Sequence, residues 1–218
     1  MKTIALIVIN APEIITQEDF NSYQKNDCYF KVYYTDKTKR EYNSAEDVIG
    51  LDELITQKSL EAENDGVSAV IVICFADEII EKAKAALSIP VFSLSRLPLH
   101  IASIIYHRHY SVILGLKQHN EFLYKSIKAD HLESGFIPVS TDLGLSPVQI
   151  KTDPSLLEKM LQVASYEIEN NAVDTFVLGC GCFVGRSNEL QQQLRLKYNK
   201  SITVVDLVGI TFAVAAAL

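Results

Sequence analysis

With 218 residues, 48% of them apolar and 22% charged, the chain can bury a substantial core and lies far from the composition of disordered segments. Its formal charge is −7 and its basic residues are scattered apart from Lys37-Thr38-Lys39-Arg40, which excludes the cationic stripe that a nucleic acid partner requires. The longest apolar runs, 67–76 and 204–218, fall short of the roughly 18 to 20 residues of a membrane span, so no membrane partner is expected.

The opening MKTIALIVIN has an apolar stretch but no small-residue cleavage site, so it reads as a first strand over 3–9 rather than a signal peptide, and the expected location is cytoplasmic. Strand-like apolar runs follow at 29–34, 69–74, 90–94, 110–116, 135–140, 174–179 and 202–207. Between them, 51–64, 77–87, 153–170 and 186–198 carry apolar residues at three- and four-residue spacing, the helical period. The near-continuous Val/Ile content of 69–73 and 202–205 suits strands buried on both faces, as in a parallel sheet covered by helices. In TDPSLLEK, Thr152 or Asp153 is the expected helix cap, with Pro154 in the first turn. The closing GITFAVAAAL is too apolar to stand free and should pack back on the first part of the chain. The sum is an α/β fold of two lobes in close contact, 1–95 plus 207–218 and 96–206, since no linker rich in Pro, Gly or Ser separates them.

The two halves echo each other. Segments 65–94 and 171–207 share one plan of buried strand, cysteine, helix and second buried strand, and Cys74 and Cys180 hold the same place in each copy. The four cysteines, Cys28, Cys74, Cys180 and Cys182, are expected as free thiols, because a chain of this size without a secretory signal needs no disulfide staples. Ligands of open parallel sheets sit beyond the carboxyl ends of the strands, where both thiols should lie. Each is expected to open a helix, whose free N–H groups would ease ionisation below the free-thiol pKa of about 8.5. Thiols on opposite walls of a cleft can take a proton from one face of a carbon and return one to the other, without metal or cofactor. The backbone N–H groups of Phe75, Ala76, Gly181 and Cys182 are candidate donors to the carbanion.

VIVICFAD, with Cys74-Phe75-Ala76-Asp77, and VLGCGCF, with Gly179-Cys180-Gly181, resemble the two cysteine motifs of the aspartate/glutamate racemase superfamily, and the Cys-Phe-x-Asp form resembles its hydantoin/allantoin racemase branch. IALIVIN, YHRHYSVIL and VVDLVGITFAVAAAL extend the resemblance through nearly the whole chain. It implies two pseudo-symmetric lobes, each a short, mostly parallel sheet flanked by helices, with the active site in the cleft between them. It implies a cofactor-independent racemase or epimerase acting next to a carbonyl of a hydantoin-like or amino-acid-derived small molecule. Cys74 and Cys180 then match the acid–base pair and Asn10 a ligand-contacting asparagine. Phe75 and Gly181 match positions whose backbone amides meet the substrate, with Cys182 beside them.

Around this pair the text departs from that branch at Asn10-Ala11-Pro12-Glu13, at Leu114-Gly115-Leu116, at Cys182 where glycine is common, and in the loop 34–47. These departures keep open a second reading, a racemase-like domain that binds a small metabolite or protein partner without chemistry. Homo-oligomerisation is also left open. Cys180-x-Cys182 with YHRHY lacks the second ligand pair of a structural zinc site, so no metal is expected. A nucleophile elbow would need glycines where Leu178 and Cys182 stand. His107 and His109 are expected at a solvated end, His100 in the core or facing the cleft, and Arg186 either in solvent or on a ligand oxygen.

Overall fold

The computed structural model describes residues 2–24, 28–36, 38, 42, 48–139 and 142–218; the cluster at 37–40 and the loop 34–47 therefore lie largely outside the described residues. Strands β1 (Lys2–Val8), β2 (Cys28–Tyr34), β3 (Ala69–Ile73) and β4 (Val91–Ser93) form one sheet in the order β2-β1-β3-β4, and every pairing in it is parallel. Strands β5 (His109–Ile113), β6 (Val173–Leu178) and β7 (Thr203–Val205) form a second parallel sheet in the order β5-β6-β7. The strands that lead into Cys74 and Cys180 thus lie inside their sheets, β3 between β1 and β4 and β6 between β5 and β7.

Strand periodicity explains the layers. From the first sheet, Ala5, Ile7, Val70 and Val72 face helices α1 (Leu51–Asn64) and α2 (Glu81–Ala86), burying Ile55, Ala62 and Ala83. Their neighbours Ile4, Leu6, Ala69, Ile71 and Ile73 point the other way, into a core shared with the second sheet. Full burial of each of the Val, Leu and Ile side chains among these contributes about 1.5–3 kcal/mol. That shared core also takes in α3 (Arg96–Ile105) and α8 (Leu207–Ala217). Helix α8 is capped by the Asp206 carboxylate, which accepts from Gly209 N at 3.1 Å, and it packs against β1, β3 and β4. Its Phe212 ring stacks on Phe30 with centroids 3.8 Å apart. The second sheet is covered by α6 (Leu156–Asn171) and α7 (Ser187–Tyr198), and α4 (Asn120–Ala129) and α5 (Pro147–Thr152) follow β5 in the chain.

Several expected elements differ. Of the run 135–140, the described residues 135–139 make only a bridge of Phe136 to Tyr110, and the Ile137 carbonyl, the next acceptor in register, takes the Ser111 hydroxyl instead of a strand N–H. Stretch 77–87 is split into a 3₁₀ turn, Glu78–Ile80, and the short α2. Helix α6 starts at Leu156, and Asp153 holds the preceding turn instead by accepting from Ser155 N at 2.8 Å. Among the described residues no helix is long and apolar enough to cross a membrane.

Candidate active site

The two cysteines leave their strands in the same way. Cys74 N donates to Val72 O at 2.8 Å and Cys180 N to Leu178 O at 3.0 Å, so each strand ends in a three-residue turn that carries a thiol. Close packing holds both turns. A Cβ on Gly179 would lie 2.5 Å from Leu114 Cδ2 and 2.8 Å from Val112 Cγ1, and one on Gly181 would lie 2.8 Å from Ile73 Cγ2. Only glycine lets the second motif rest against the residue that precedes Cys74.

Between the sheets is a cavity with about 690 Å³ of free space, part of it continuous with solvent. Asn10, Cys74, Phe75, Cys180, Gly181 and Cys182 all line it, drawn from the ends of β1, β3 and β6. The sequence reading did not single out Tyr42, Val48, His119, Phe122 and Pro147, which line it as well. His119 carried a usable signal, a polar ring in a short segment just past the carboxyl end of β5, where parallel-sheet ligands sit. Its Nε2 is 3.3 Å from the Tyr42 carbonyl oxygen, and burial pushes its pKa down, which favours the neutral ring.

The three cavity thiols have unequal acidities. Burial raises Cys74 to about 12, the nearby Cys180 sulfur adds to the rise, and the N–H groups of Ala76 and Phe75 offset part of it. Cys180 moves the other way, because the hydrogen bond from the Cys182 thiol outweighs burial and the Cys182 N–H, 3.4 Å from Cys180 Sγ, adds to it. Cys182 is correspondingly raised, first by giving that hydrogen bond and then by burial. Cys180 is therefore the first of the three to ionise.

The expectation that both thiols open helices needs correction. Cys180 caps a 3₁₀ turn, Gly181–Phe183, with its sulfur, but after Cys74 the first helical turn begins only at Glu78, so no helix end offsets the cost of burial there. Nearby, the buried Asp77 accepts from Ser93 Oγ; its second oxygen, Oδ2, lacks a hydrogen bond and lies 3.9 Å from Arg96 Nε.

Other singled-out residues lie off the cavity. Arg186 is exposed, with Nη1 3.4 Å from Glu189 Oε2. His100 is neither in the core nor on the cavity: it is partly exposed, with Nε2 3.6 Å from Asp130 Oδ2. His107 and His109 sit where β5 begins, the former donating its N–H to Asp174 at 3.1 Å and the latter placing Nδ1 2.9 Å from Asn171 O. Among the described residues no group of three or more His, Cys, Asp or Glu side chains could hold a metal ion.

Residues 13–215 match a family model described as Asp/Glu/Hydantoin racemase. Among curated proteins none matches the chain in sequence. Among solved structures the chain is similar to allantoin racemase from Klebsiella pneumoniae, at 14% identity and a TM-score of 0.88 over 100% of this chain and 87% of that one. It is also similar to allantoin racemase from Pseudomonas fluorescens, at 16% identity and a TM-score of 0.82 over 99% and 90%. A glutamate racemase isoform from Bacillus anthracis follows at 13% identity and a TM-score of 0.66, over 99% and 80%. At these identities the likeness to the solved structures is one of fold.

Proposed function

The chain belongs to the Asp/Glu/hydantoin racemase family, an isomerase of the racemase kind, and from that premise we propose that Cys74 and Cys180 exchange a proton at a carbon next to a carbonyl without a cofactor. Cys180, the more acidic thiol, removes the proton as a thiolate and becomes S–H. Cys74, held protonated by burial, delivers its proton to the opposite face of the carbanion and is left as the thiolate. One proton leaves the carbon and one arrives, with inversion, and the reverse turnover exchanges the two roles. The observation that supports this most is the meeting of both cysteine turns, one from each sheet, on a single cavity together with Asn10.

The substrate we favour is a hydantoin-like cyclic amide. The described lining residues include Ile9, Val48, Leu114, Phe122 and Pro147 but no lysine or arginine, which suits a neutral ring better than an acidic amino acid with two carboxylates. Asn10 and the backbone amides of Phe75 and Gly181 would meet its polar edge. We also propose the lobe division 1–95 plus 207–218 and 96–206. Supporting it, α8 packs on the first sheet while α3 packs on β6 and β7 of the second.

The test is deuterium incorporation from D₂O into 5-substituted hydantoins and allantoin. Wild-type protein should exchange the proton and racemise, and Cys74→Ser or Cys180→Ser should each lower the rate about a hundredfold or more, the usual worth of a general acid or base. Full activity in either variant would end the two-thiol mechanism, and no exchange with any of these compounds would favour the binding-domain reading.

A further inference from the structure

His119 borders the cavity but has no place in the proton exchange described above. The segment that carries it is pinned after β5, where Leu114 O accepts from Leu143 N at 3.1 Å and Gly115 O from Leu145 N at 2.9 Å. A Cβ on Gly115 would stand 2.6 Å from Leu145 O, so this approach is as tight as a backbone allows. His119 then closes the 3₁₀ turn Lys117–His119, its N–H donating to Leu116 O at 3.0 Å, and is the N-cap of α4. Its ring Nε2 lies 3.3 Å from the Tyr42 carbonyl oxygen. A carbonyl oxygen can only accept, so the proton of that contact sits on Nε2, and in a neutral ring Nδ1 is left as an acceptor. Burial is the largest influence on the ring and lowers its pKa, while the Tyr42 carbonyl and the Asp142 carboxylate raise it by less; the N-terminal end of α4 is also a poor place for a cation. Among the described residues none donates a hydrogen bond to Nδ1. The cyclic amide favoured above carries ring N–H groups as well as carbonyls. The backbone amides of Phe75 and Gly181 can only donate, whereas a neutral imidazole nitrogen on the same cavity can receive.

We propose that His119 is a specificity-determining residue: its Nδ1 accepts a hydrogen bond from a ring N–H of the bound cyclic amide, and the Tyr42 carbonyl fixes the tautomer that makes Nδ1 the acceptor. The contact selects rings that offer an N–H and rejects N-alkylated rings of nearly the same shape, because the nitrogen lone pair is then left unpaired in a partly buried site. No proton changes owner in this contact. The proposal deepens the racemase reading and rests on it for the class of ligand.

The experiment titrates intact protein labelled with ¹⁵N-histidine with 5-methylhydantoin and with its N1-methyl and N3-methyl derivatives, recording affinity and the long-range ¹⁵N–¹H correlations of His119 together. The free protein at neutral pH should show the Nε2–H tautomer. 5-Methylhydantoin should shift the Nδ1 resonance upfield, and one of the two methyl derivatives should bind about tenfold more weakly and leave that resonance in place. His119→Phe, which keeps a ring without nitrogen, should bind 5-methylhydantoin about tenfold more weakly and no longer distinguish it from that derivative. An Nδ1–H tautomer or a cationic ring in the free wild type, or a discrimination that survives in His119→Phe, would overturn the proposal; the tautomer needs no variant to fold. Deuterium exchange read beside these titrations separates the two readings. Exchange with binding that ignores His119 removes this proposal and leaves the racemase, whereas binding that depends on His119 without exchange does the reverse.

Discussion

At Cys74 the loss of water dominates: two backbone N–H groups do not compensate for desolvation beside a second sulfur, and the partly buried thiol is pushed up to about 12. At Cys180 the balance tips the other way, because a thiol donor and an amide on the same short turn favour the charged form. For the proton exchange proposed above, the pH dependence of turnover follows from these two directions. As pH rises, kcat/KM should climb while Cys180 loses its proton, since the base must be ionised to act. It should then hold level, because the acid, Cys74, keeps its proton until the pH approaches about 12. A profile measured up to pH 10.5 would count against the assignment if it showed a descending limb near 9, where an unperturbed thiol of the kind would ionise.

The elements whose strands could be read from sequence are those whose composition leaves one choice. β3 and β6 are runs of buried, mostly β-branched or bulky residues ending at a cysteine, and the structure ends them within a residue of the expected points. All six site residues singled out from the sequence meet on one cavity, because strand ends of a parallel sheet converge and the repeated plan marks which ends to compare. What the sequence hid was short or non-local. Helix α5 has only six residues, too few for a helical period, although Ser146-Pro147 with Gln149 forms a capping box that marked its start. Tyr42 reaches the cavity from a segment of no regular period.

A helix end also offers a stability test. Ala172 closes α6 with φ of 54°, a left-handed conformation that costs a residue with a Cβ about 1–2 kcal/mol and costs glycine almost nothing. Ala172→Gly should therefore raise stability by about 1 kcal/mol, seen as an increase of roughly 2–4 °C in Tm for a chain of this length. No gain on calorimetry would mean that the Ala172 methyl group makes contacts that offset the strain.

At the scale of the molecule, one core runs from the first sheet through α8 and α3 into the second sheet, so the lobes share their stability. Arg96 adds a polar tie, with Nε 2.9 Å from Asp130 after α4 and 3.9 Å from Asp77 beside β3. Phe212 is central to the apolar part, stacked on Phe30 and within 5.7 Å of Tyr23 by ring centroids. Phe212→Ala should cost about 3–5 kcal/mol, the range for deleting a buried aromatic ring. Unfolding should remain a single transition in which spectroscopic probes in the two lobes coincide; two separate transitions would show that the shared core does not couple them.

Gly181 meets Ile73 with backbone against side chain and no atom to spare, since a Cβ there would stand 2.8 Å from Ile73 Cγ2. A methyl group added at position 181 would therefore act as a wedge, and the gap between the two sulfur-bearing turns becomes a dimension of the cavity that one hydrogen-to-methyl change resets.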